Sequence, residues 1–370
     1  MSSGRLRLSG PLLPSGEHRT LDIDGGRIVS SDARRAPADD VPTVRGWLVP
    51  GLVDAHCHVG LGPDGAVDRE RAREQARTDR DTGALLLRDA GSPADTRWID
   101  EQDDLPRLVR AGRHIAAPRR YYRGFAAEVD PGDLVAEVQR QAARGDGWVK
   151  LVADWIDRRI GDLAPCWTAE QLRSAVAAAH AAGARLTVHV FGEDAMESVL
   201  AAGVDGIEHG IGLSDQQLHV VAEQGIALVP TRVQIANFEL FARQGEQRFP
   251  IWAAHLRALG ARADSLLAQA HEAGVALYAG TDAGGTNPHG LLPAEIRMMA
   301  AAGPGPTAAL AAASWRARQW LGRDDGVSPG SGADVVVYPS DPRIDPAILN
   351  HPVAVVLRGR IAAGSGRLGH

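Results

Sequence analysis

Short apolar runs alternate with longer amphipathic segments through most of this chain, from about residue 52 to residue 279. The runs predict buried parallel strands, and the segments between them, rich in Ala, Arg, Glu and Leu, predict helices that often close on a glycine. Eight strands are predicted, at 52–55, 84–88, 114–117, 148–152, 185–190, 204–208, 226–229 and 275–279. Eight βα units in roughly 250 residues predict an α/β fold of the TIM type, a (β/α)₈ barrel.

Both ends of the chain alternate apolar and polar residues in the manner of strands, at 6–8, 21–23 and 27–29 and again at 333–338 and 353–359. Neither end alone holds enough strands for a stable sheet. We therefore expect the ends to meet in one small, discontinuous β-sandwich domain made of residues 1–49 and 326–370. Residues 50–325 then form the barrel domain.

Composition narrows the function to small-molecule chemistry. The chain of 370 residues is 44% hydrophobic and carries 40 basic and 46 acidic residues, a net charge of −6 without long like-charge blocks. This pattern predicts a small-molecule substrate and argues against nucleic-acid and membrane partners. Two cysteines, Cys57 and Cys166, are too few for a disulfide framework. No signal peptide and no apolar run of about 18 residues is found, so we expect a cytoplasmic protein.

Lys150 is the one lysine of the chain, since every other basic side chain that is not histidine is arginine. It lies in the apolar run 148–152, a predicted buried strand. Arginine cannot be deprotonated in a protein, whereas a buried lysine can become a neutral amine. The lysine therefore indicates chemistry, with a snorkelling side chain at a strand edge as the alternative.

Histidines and one aspartate follow the predicted strands. His56 and His58 come after the first strand and point to one side, because side chains alternate along a strand. His189, His209 and Asp282 come at or after the ends of the fifth, sixth and eighth strands. The carboxyl ends of barrel strands are where such enzymes build their active sites. Imidazole and carboxylate ligands without thiolate favour zinc, with manganese, iron or cobalt as alternatives.

With these residues the chain resembles the amidohydrolase superfamily, and within it the imidazolonepropionase-related branch of dipeptidase- and prolidase-like enzymes. The motifs that carry the likeness are PGLVDAHCH at 50–58, LRDAG at 87–91, Val149-Lys150, Val188-His189, GIEHG at 206–210 and AGTDAG at 279–284. The likeness covers nearly the whole chain.

The resemblance implies a centre of two divalent metal ions, most simply Zn²⁺. His56, His58 and Asp282 would hold one ion and His189 and His209 the other, with Lys150, carboxylated by CO₂ on its side-chain nitrogen, bridging both. It also implies hydrolysis of an amide or peptide-like C–N bond by a metal-bridging hydroxide. Asp282, Lys150 and His209 would be the catalytic residues, with Asp282 passing a proton from water to the leaving amine.

Four residues are predicted to contact substrate: Tyr122, Phe191, Arg232 and His289. Phe191 stands two residues after His189, where peptidase relatives often carry tyrosine, so a hydroxyl contact to a substrate carboxylate is absent. Arg232 could pair with a carboxylate. The segment 234–263, with four large aromatic residues, is long enough to form a lid or a contact between copies in a homo-oligomer.

Other activities of the same superfamily stay open. A two-metal hydroxide would attack a lactone, another ester or a phosphotriester as readily as an amide. A deaminase normally uses a single metal without a bridging lysine, so Lys150 argues against that activity. A barrel serving only as a binding module would be expected to have lost ligands, and this chain keeps all six.

Overall fold

The computed structural model describes residues 4–30 and 41–364. Its strands, in chain order, are β1 (Leu6–Leu12), β2 (Glu17–Asp24), β3 (Arg27–Val29), β4 (Thr43–Arg45), β5 (Trp47–Pro50), β6 (Leu52–Cys57), β7 (Leu61–Gly62), β8 (Gly65–Ala66), β9 (Ala84–Asp89), β10 (Arg107–Arg110), β11 (Ile115–Ala116), β12 (Ala127–Glu128), β13 (Trp148–Val152), β14 (Asp154–Asp157), β15 (Asp162–Pro165), β16 (Arg185–Val190), β17 (Gly206–His209), β18 (Ala227–Val229), β19 (Ala276–Leu277), β20 (Val335–Tyr338), β21 (Ala354–Leu357) and β22 (Arg360–Ala363).

The helices of the same residues alternate with the strands from β8 onward. They are α1 (Arg69–Asp81), α2 (Leu134–Arg144), α3 (Ala169–Ala181), α4 (Met196–Ala202), α5 (Asp215–Gln224), α6 (Arg232–Ile235), α7 (Phe238–Gly245), α8 (Pro250–Ala261), α9 (Ala263–Glu272), α10 (Leu292–Ala301), α11 (Gly305–Ala312) and α12 (Trp315–Trp320). Short 3₁₀ turns lie at Arg97–Glu101, Pro131–Asp133 and Pro346–Asn350.

Parallel strands form the barrel in two hydrogen-bonded runs. One has the order β10-β9-β6, and the other runs from β11 through β13, β16, β17 and β18 to β19. The runs meet where Ala55 N–H donates to the Ala279 carbonyl at 2.8 Å and Val53 N–H donates to the Ala313 carbonyl at 2.7 Å. Leucine, valine and alanine side chains of the helices and strands share one large core. The predicted TIM barrel is confirmed.

The third barrel strand begins earlier than the sequence indicates. Residues 107–110 form β10 beside β9, and after a break at Gly112 the chain continues as β11 beside β13. The sequence prediction of 114–117 missed β10 because the strand carries charged residues. Arg110 is nevertheless buried, since Asp100 and Asp146 pair with its guanidinium at 2.8 and 3.0 Å. Ion pairing hides the apolar pattern that a buried strand normally shows.

The helix ends follow the local signals of the sequence. Thr168 begins α3 and Ser214 begins α5, each in a capping box with the glutamine three residues on. Gly203 and Gly225 end α4 and α5 in the left-handed conformation, with φ of 74° and 67°. These ends place the loops that follow β16 and β17, which carry site residues.

The two ends of the chain meet in one sheet. Its order is β22-β21-β20-β5-β1-β2-β3, with β4 beside β1, and β20 runs antiparallel to β5 with Val336 opposite Val49. Side chains of this sheet form a separate buried apolar cluster, which includes Leu8, Leu48 and Val337. The ends thus form the predicted joint β-domain. Residues 1–3, 31–40 and 365–370 of that predicted domain lie outside the described residues, and its exact boundaries stay a prediction.

Two insertions cover the carboxyl end of the barrel. One is the hairpin of β14 and β15, and the other is the pair α7 and α8, which we call the lid. The backbone N–H of Trp252 in α8 donates to the Gly161 carbonyl at 3.1 Å, and His255 joins Asp162 at 3.0 Å to Glu193 at 2.9 Å. The segment 234–263 therefore covers the barrel mouth, while a role in contacts between copies stays a prediction.

Among residues 4–30 and 41–364, no helix combines the length and the apolar character that crossing a bilayer requires.

Candidate metal centre

The first barrel strand and the loop after the last one supply a three-residue cluster. His56 and His58 point to the same side of β6, with their Nε2 atoms 3.2 Å apart. The Asp282 carboxylate oxygen Oδ1 lies 3.1 Å from each of these nitrogens. The three ligand atoms converge closely enough to hold one metal ion. The structure therefore brings together the first predicted ligand set.

The predicted pair on the fifth and sixth strands also converges. His189 of β16 and His209 of β17 approach through Nδ1 and Nε2 at 3.0 Å. The ring of His209 lies 5.3 Å from that of His56, measured between centroids, so this pair adjoins the first cluster. All five residues are buried or nearly so at one rim of the barrel.

Lys150 lies on β13, next to β16, which carries His189. Its register partner on β16 is Thr187, and Val152 on the same strand faces His189. The side chain is buried. Burial lowers the pKa of Lys150 from 10.5 to about 8, although the charges of Glu208 and Asp282 act in the opposite direction. A neutral amine is therefore accessible near neutral pH.

The second nitrogen of each ring fixes its orientation. His56 Nδ1 lies 2.7 Å from a Glu208 carboxylate oxygen, and His58 Nδ1 donates to the Gly91 carbonyl at 2.6 Å. His209 Nδ1 contacts the Thr231 hydroxyl at 2.7 Å. With protons on these Nδ1 atoms, the Nε2 atoms are left as acceptors.

This donor set fits a cation. The Nε2 lone pairs of His56 and His58 and an oxygen of Asp282 point to one place, where three acceptors repel each other unless a positive ion or a proton lies among them. Burial lowers the pKa of His58, His189 and His209, which keeps these imidazoles in the neutral, ligating form. Burial would raise the pKa of Asp282, but the charges and hydrogen bonds of His56 and His58 outweigh it and hold that pKa well below its usual value.

Glu208 and Arg88 lie in the motifs GIEHG and LRDAG and form a buried pair beside His56 that the sequence did not predict. Arg88 pairs with Glu208 at 2.8 Å, and both side chains are fully buried. The Thr187 hydroxyl donates to the same carboxylate at 2.5 Å. The signal was present in LRDAG and GIEHG, since a charged residue inside an apolar strand requires a buried partner.

Three residues at this rim have a strained backbone. His209, Thr231 and Asp282 have φ of 67°, 45° and 55°, in the left-handed region that side chains other than glycine rarely adopt. Each such residue costs on the order of 1–3 kcal/mol, and such residues cluster at functional sites. The strained residues are therefore two predicted ligands, His209 and Asp282, and Thr231, whose hydroxyl orients His209.

A cavity of about 420 Å³ opens above the metal cluster. His189 and Asp282 form its floor, and its walls are mainly aromatic. The aromatic lining residues are Tyr121, Tyr122, Trp155, Phe191, Phe241, Phe249 and Trp252. The Tyr121 ring lies 5.5 Å from His189 and 4.6 Å from Trp155. Tyr121 and Trp155 were not predicted; only the tyrosine pair at 121–122 offered a signal in the sequence.

The four predicted substrate contacts are placed differently. Tyr122 and Phe191 line the aromatic cavity. Arg232 is buried and pairs with Asp264 at 2.5 Å, and His289 pairs with Asp79 at 2.7 Å beside a second cavity of about 380 Å³. Neither Arg232 nor His289 lines the aromatic cavity, so their role toward substrate stays a prediction without support from this geometry.

Comparison with known protein families and sequences gives two matches that cover most of the chain. The model of the amidohydrolase family matches residues 47–362. The chain is 51% identical over 357 residues to "Uncharacterized protein Rv2915c" of Mycobacterium tuberculosis (strain ATCC 25618 / H37Rv), covering 96% of this chain and 95% of that protein.

Two solved structures share the fold. One is a Xaa-Pro dipeptidase with bound methionine in its active site, with a TM-score of 0.79, 23% identity and coverage of 97% of this chain and 99% of that one. The other is a putative prolidase from Bifidobacterium longum, with a TM-score of 0.81, 23% identity and coverage of 100% and 96%. At this level of identity the likeness concerns the fold alone.

Proposed function

Since this chain belongs to the amidohydrolase family, whose members are metal-dependent hydrolases, we propose that it hydrolyses the C–N bond of a small amide or peptide-like substrate. One observation carries the proposal. Two sets of buried candidate ligand atoms, 3.0–3.2 Å apart within each set, adjoin each other, and each set contributes one residue, Asp282 or His189, to the lining of an aromatic cavity that can admit a small molecule.

Two divalent ions are part of the proposal. His56, His58 and Asp282 would hold one, and His189 and His209 the other. Such ions bring the pKa of a coordinated water down towards 7 and polarise the carbonyl group. Zinc suits this nitrogen and oxygen donor set.

Asp282 is proposed to move the proton. Its carboxylate is ionised at neutral pH, and it lies at the floor of the cavity beside the ligand histidines. It would accept the proton from the attacking water and deliver it to the nitrogen of the leaving amine as the C–N bond breaks. The first products are a carboxylic acid and an amine, and one proton then passes between them to give a carboxylate and an ammonium ion.

Lys150 is proposed to be carboxylated by CO₂, with the new carboxylate bridging the two ions. Support comes from its position on the strand beside β16, which carries His189, and from its burial, which favours a neutral, nucleophilic amine. Protein labelled with ¹³C-bicarbonate should show a carbamate signal that is absent from Lys150→Arg. A spectrum without that signal in the metal-loaded wild type would remove the bridge from the proposal.

The experiment that tests the activity is release of free amine from libraries of dipeptides and N-acyl amino acids. The protein is loaded with zinc in the presence of bicarbonate, and Lys150→Arg is run beside it. Release by the wild type alone supports a two-metal amidase. Silence from the wild type with two metals bound would direct the search to lactones, other esters, phosphotriesters or deamination.

A further inference from the structure

Two arginines line the aromatic cavity with the proposed catalytic residues. Arg123 follows the third barrel strand, and Arg158 follows β14 of the hairpin. Both are exposed to solvent at the open side of the cavity, while His189 and Asp282 lie buried at its floor. The cavity therefore has a cationic edge at the end away from the metal cluster.

Neither guanidinium is neutralised by the protein. Within the described residues, no aspartate or glutamate lies at ion-pair distance from Arg123 or Arg158, whereas the neighbouring Arg120 and Arg159 both pair with Asp157 at 3.3 Å. Asp282 is the one carboxylate among the described residues that line the cavity, and it belongs to the metal cluster. Unpaired arginines are ordinary on a surface, but two of them on the wall of an active-site cavity leave positive charge for a ligand.

Among the described residues that line the cavity, Arg123 and Arg158 are the only arginines, and no lysine lines it. Phe191 lies with its ring 4.4 Å from His189 and offers no hydroxyl. Gln234 of α6 and Gln244 of the lid also line the cavity, and both side chains are uncharged. A substrate carboxylate that lies outside the reacting amide would therefore find its partners at the arginine edge, because a planar guanidinium matches a carboxylate.

From this geometry we infer that Arg123 and Arg158 form a carboxylate subsite. The substrate class is then an amide that carries both a large aromatic or apolar group, held by Tyr121, Tyr122 and Trp155, and a free carboxylate. This inference rests on the proposed amide hydrolysis for its activity test, but binding tests it separately.

The activity test compares two substrates that differ in one group. N-acetyl-L-phenylalanine and N-acetyl-2-phenylethylamine share the acyl–nitrogen bond and the phenyl ring, and only the first has the carboxylate. Wild type, Arg123→Gln, Arg158→Gln and the double variant are measured with zinc and bicarbonate. Arg159→Gln is the matched control, since it removes the same charge from the neighbouring residue, which does not line the cavity.

We expect the wild type to prefer the carboxylate substrate by about tenfold or more in kcat/KM, as one charged hydrogen bond allows. Each cavity arginine variant should lose most of that preference through KM and leave the neutral substrate unchanged, and Arg159→Gln should behave as wild type. The KM of the carboxylate substrate should also rise with salt in the wild type and less in the double variant. Equal rates on both substrates in the wild type, or equal losses on both in the variants, would overturn the subsite.

A failure of the proposed activity remains distinguishable. If the wild type hydrolyses neither substrate, calorimetry compares binding of 3-phenylpropanoate and 3-phenylpropanamide to the same metal-loaded proteins. Weaker binding of the acid alone in Arg123→Gln and Arg158→Gln would keep the subsite and reject the amide reaction. Unchanged binding of the acid in both variants would reject the subsite, since its carboxylate would then bind elsewhere.

Discussion

At the scale of the residue, the site depends on which atom of each side chain is already engaged. The Nδ1 atoms of His56 and His58 face an acceptor, so their Nε2 atoms remain for a cation. Asp282 is different because its carboxylate lies both in the cluster and on the cavity floor. The Asp282 carboxylate can therefore serve both as a metal ligand and as a proton carrier.

Asp282→Asn tests that double role. The amide keeps an oxygen for a metal ion but cannot accept a proton, so we expect kcat to fall by about 10²–10⁴-fold, the range of general acid–base catalysis. Metal content measured by atomic emission should stay substantial. A variant with near wild-type turnover would remove Asp282 from the proton path.

Glu208→Gln tests the buried support of the cluster. Glu208 neutralises Arg88 and holds His56, with all three side chains inaccessible to solvent. Removing the charge leaves the buried Arg88 cation without a carboxylate partner, although the Ala55 carbonyl and the Trp148 ring still contact it, so we expect the free energy of unfolding to fall by about 3–5 kcal/mol. Thermal and denaturant unfolding measure this loss. Glu17→Gln, in an exposed ion pair with Arg19, is the control and should leave stability unchanged.

At the scale of the element, His255 anchors the lid. It is the side chain of α8 that joins Asp162 of the hairpin to Glu193 after β16. Burial would lower the pKa of His255, but the hydrogen bonds and charges of these two carboxylates outweigh it and raise the pKa above 6.5. No other ion pair among the described residues involves His255.

The lid should therefore be held more firmly in mild acid. A raised pKa in the folded state means that the contribution to stability is complete below the ordinary histidine pKa and is lost as pH rises through the raised value. Hydrogen exchange of α8 should become faster as the pH rises above about 6.5, the ordinary histidine pKa. His255→Gln should exchange at a rate that varies less with pH after correction for intrinsic exchange. Parallel pH profiles of the two proteins would contradict this anchor.

At the scale of the whole molecule, the barrel and the terminal sheet share buried polar contacts. Arg318 of α12 is fully buried, donates to the Gly51 carbonyl at 2.8 Å and lies 3.7 Å from Asp334 at the start of the C-terminal strands. Asp334 in turn accepts from Arg358 N–H at 2.9 Å. The two parts of the chain therefore depend on one interface.

We expect the barrel and the terminal sheet to unfold together. Tryptophan fluorescence and circular dichroism should give coincident denaturation curves for the wild type. Arg318→Ala leaves Asp334 with one buried partner fewer, so its midpoint should move to lower denaturant in both signals. Two separated transitions in the wild type would show that the parts are independent.

Much of this molecule was predictable from local pattern. The spacing of the apolar residues and the positions of the glycines identified the barrel strands other than β10. The residues on these strands and at their ends gave the six proposed ligands. The pattern failed at β10 because Arg107 and Arg110 are charged, and the partners that permit burial of Arg110 are 10 and 36 residues away. For the same reason the sequence did not predict that Tyr121 and Trp155 line the cavity. These two residues become neighbours only when the hairpin folds over the barrel.

The sequence by itself determined the fold class through periodicity, the family likeness through its motifs, and the set of proposed ligand residues through their places at strand ends. The tertiary structure decided which nitrogen of each imidazole is free, which carboxylate orients it, and which arginines remain unpaired. Arg120 and Arg123 are alike in the sequence, yet one pairs with Asp157 and the other lines the cavity. Such differences arise from distances between distant segments, and those distances exist only in the folded chain.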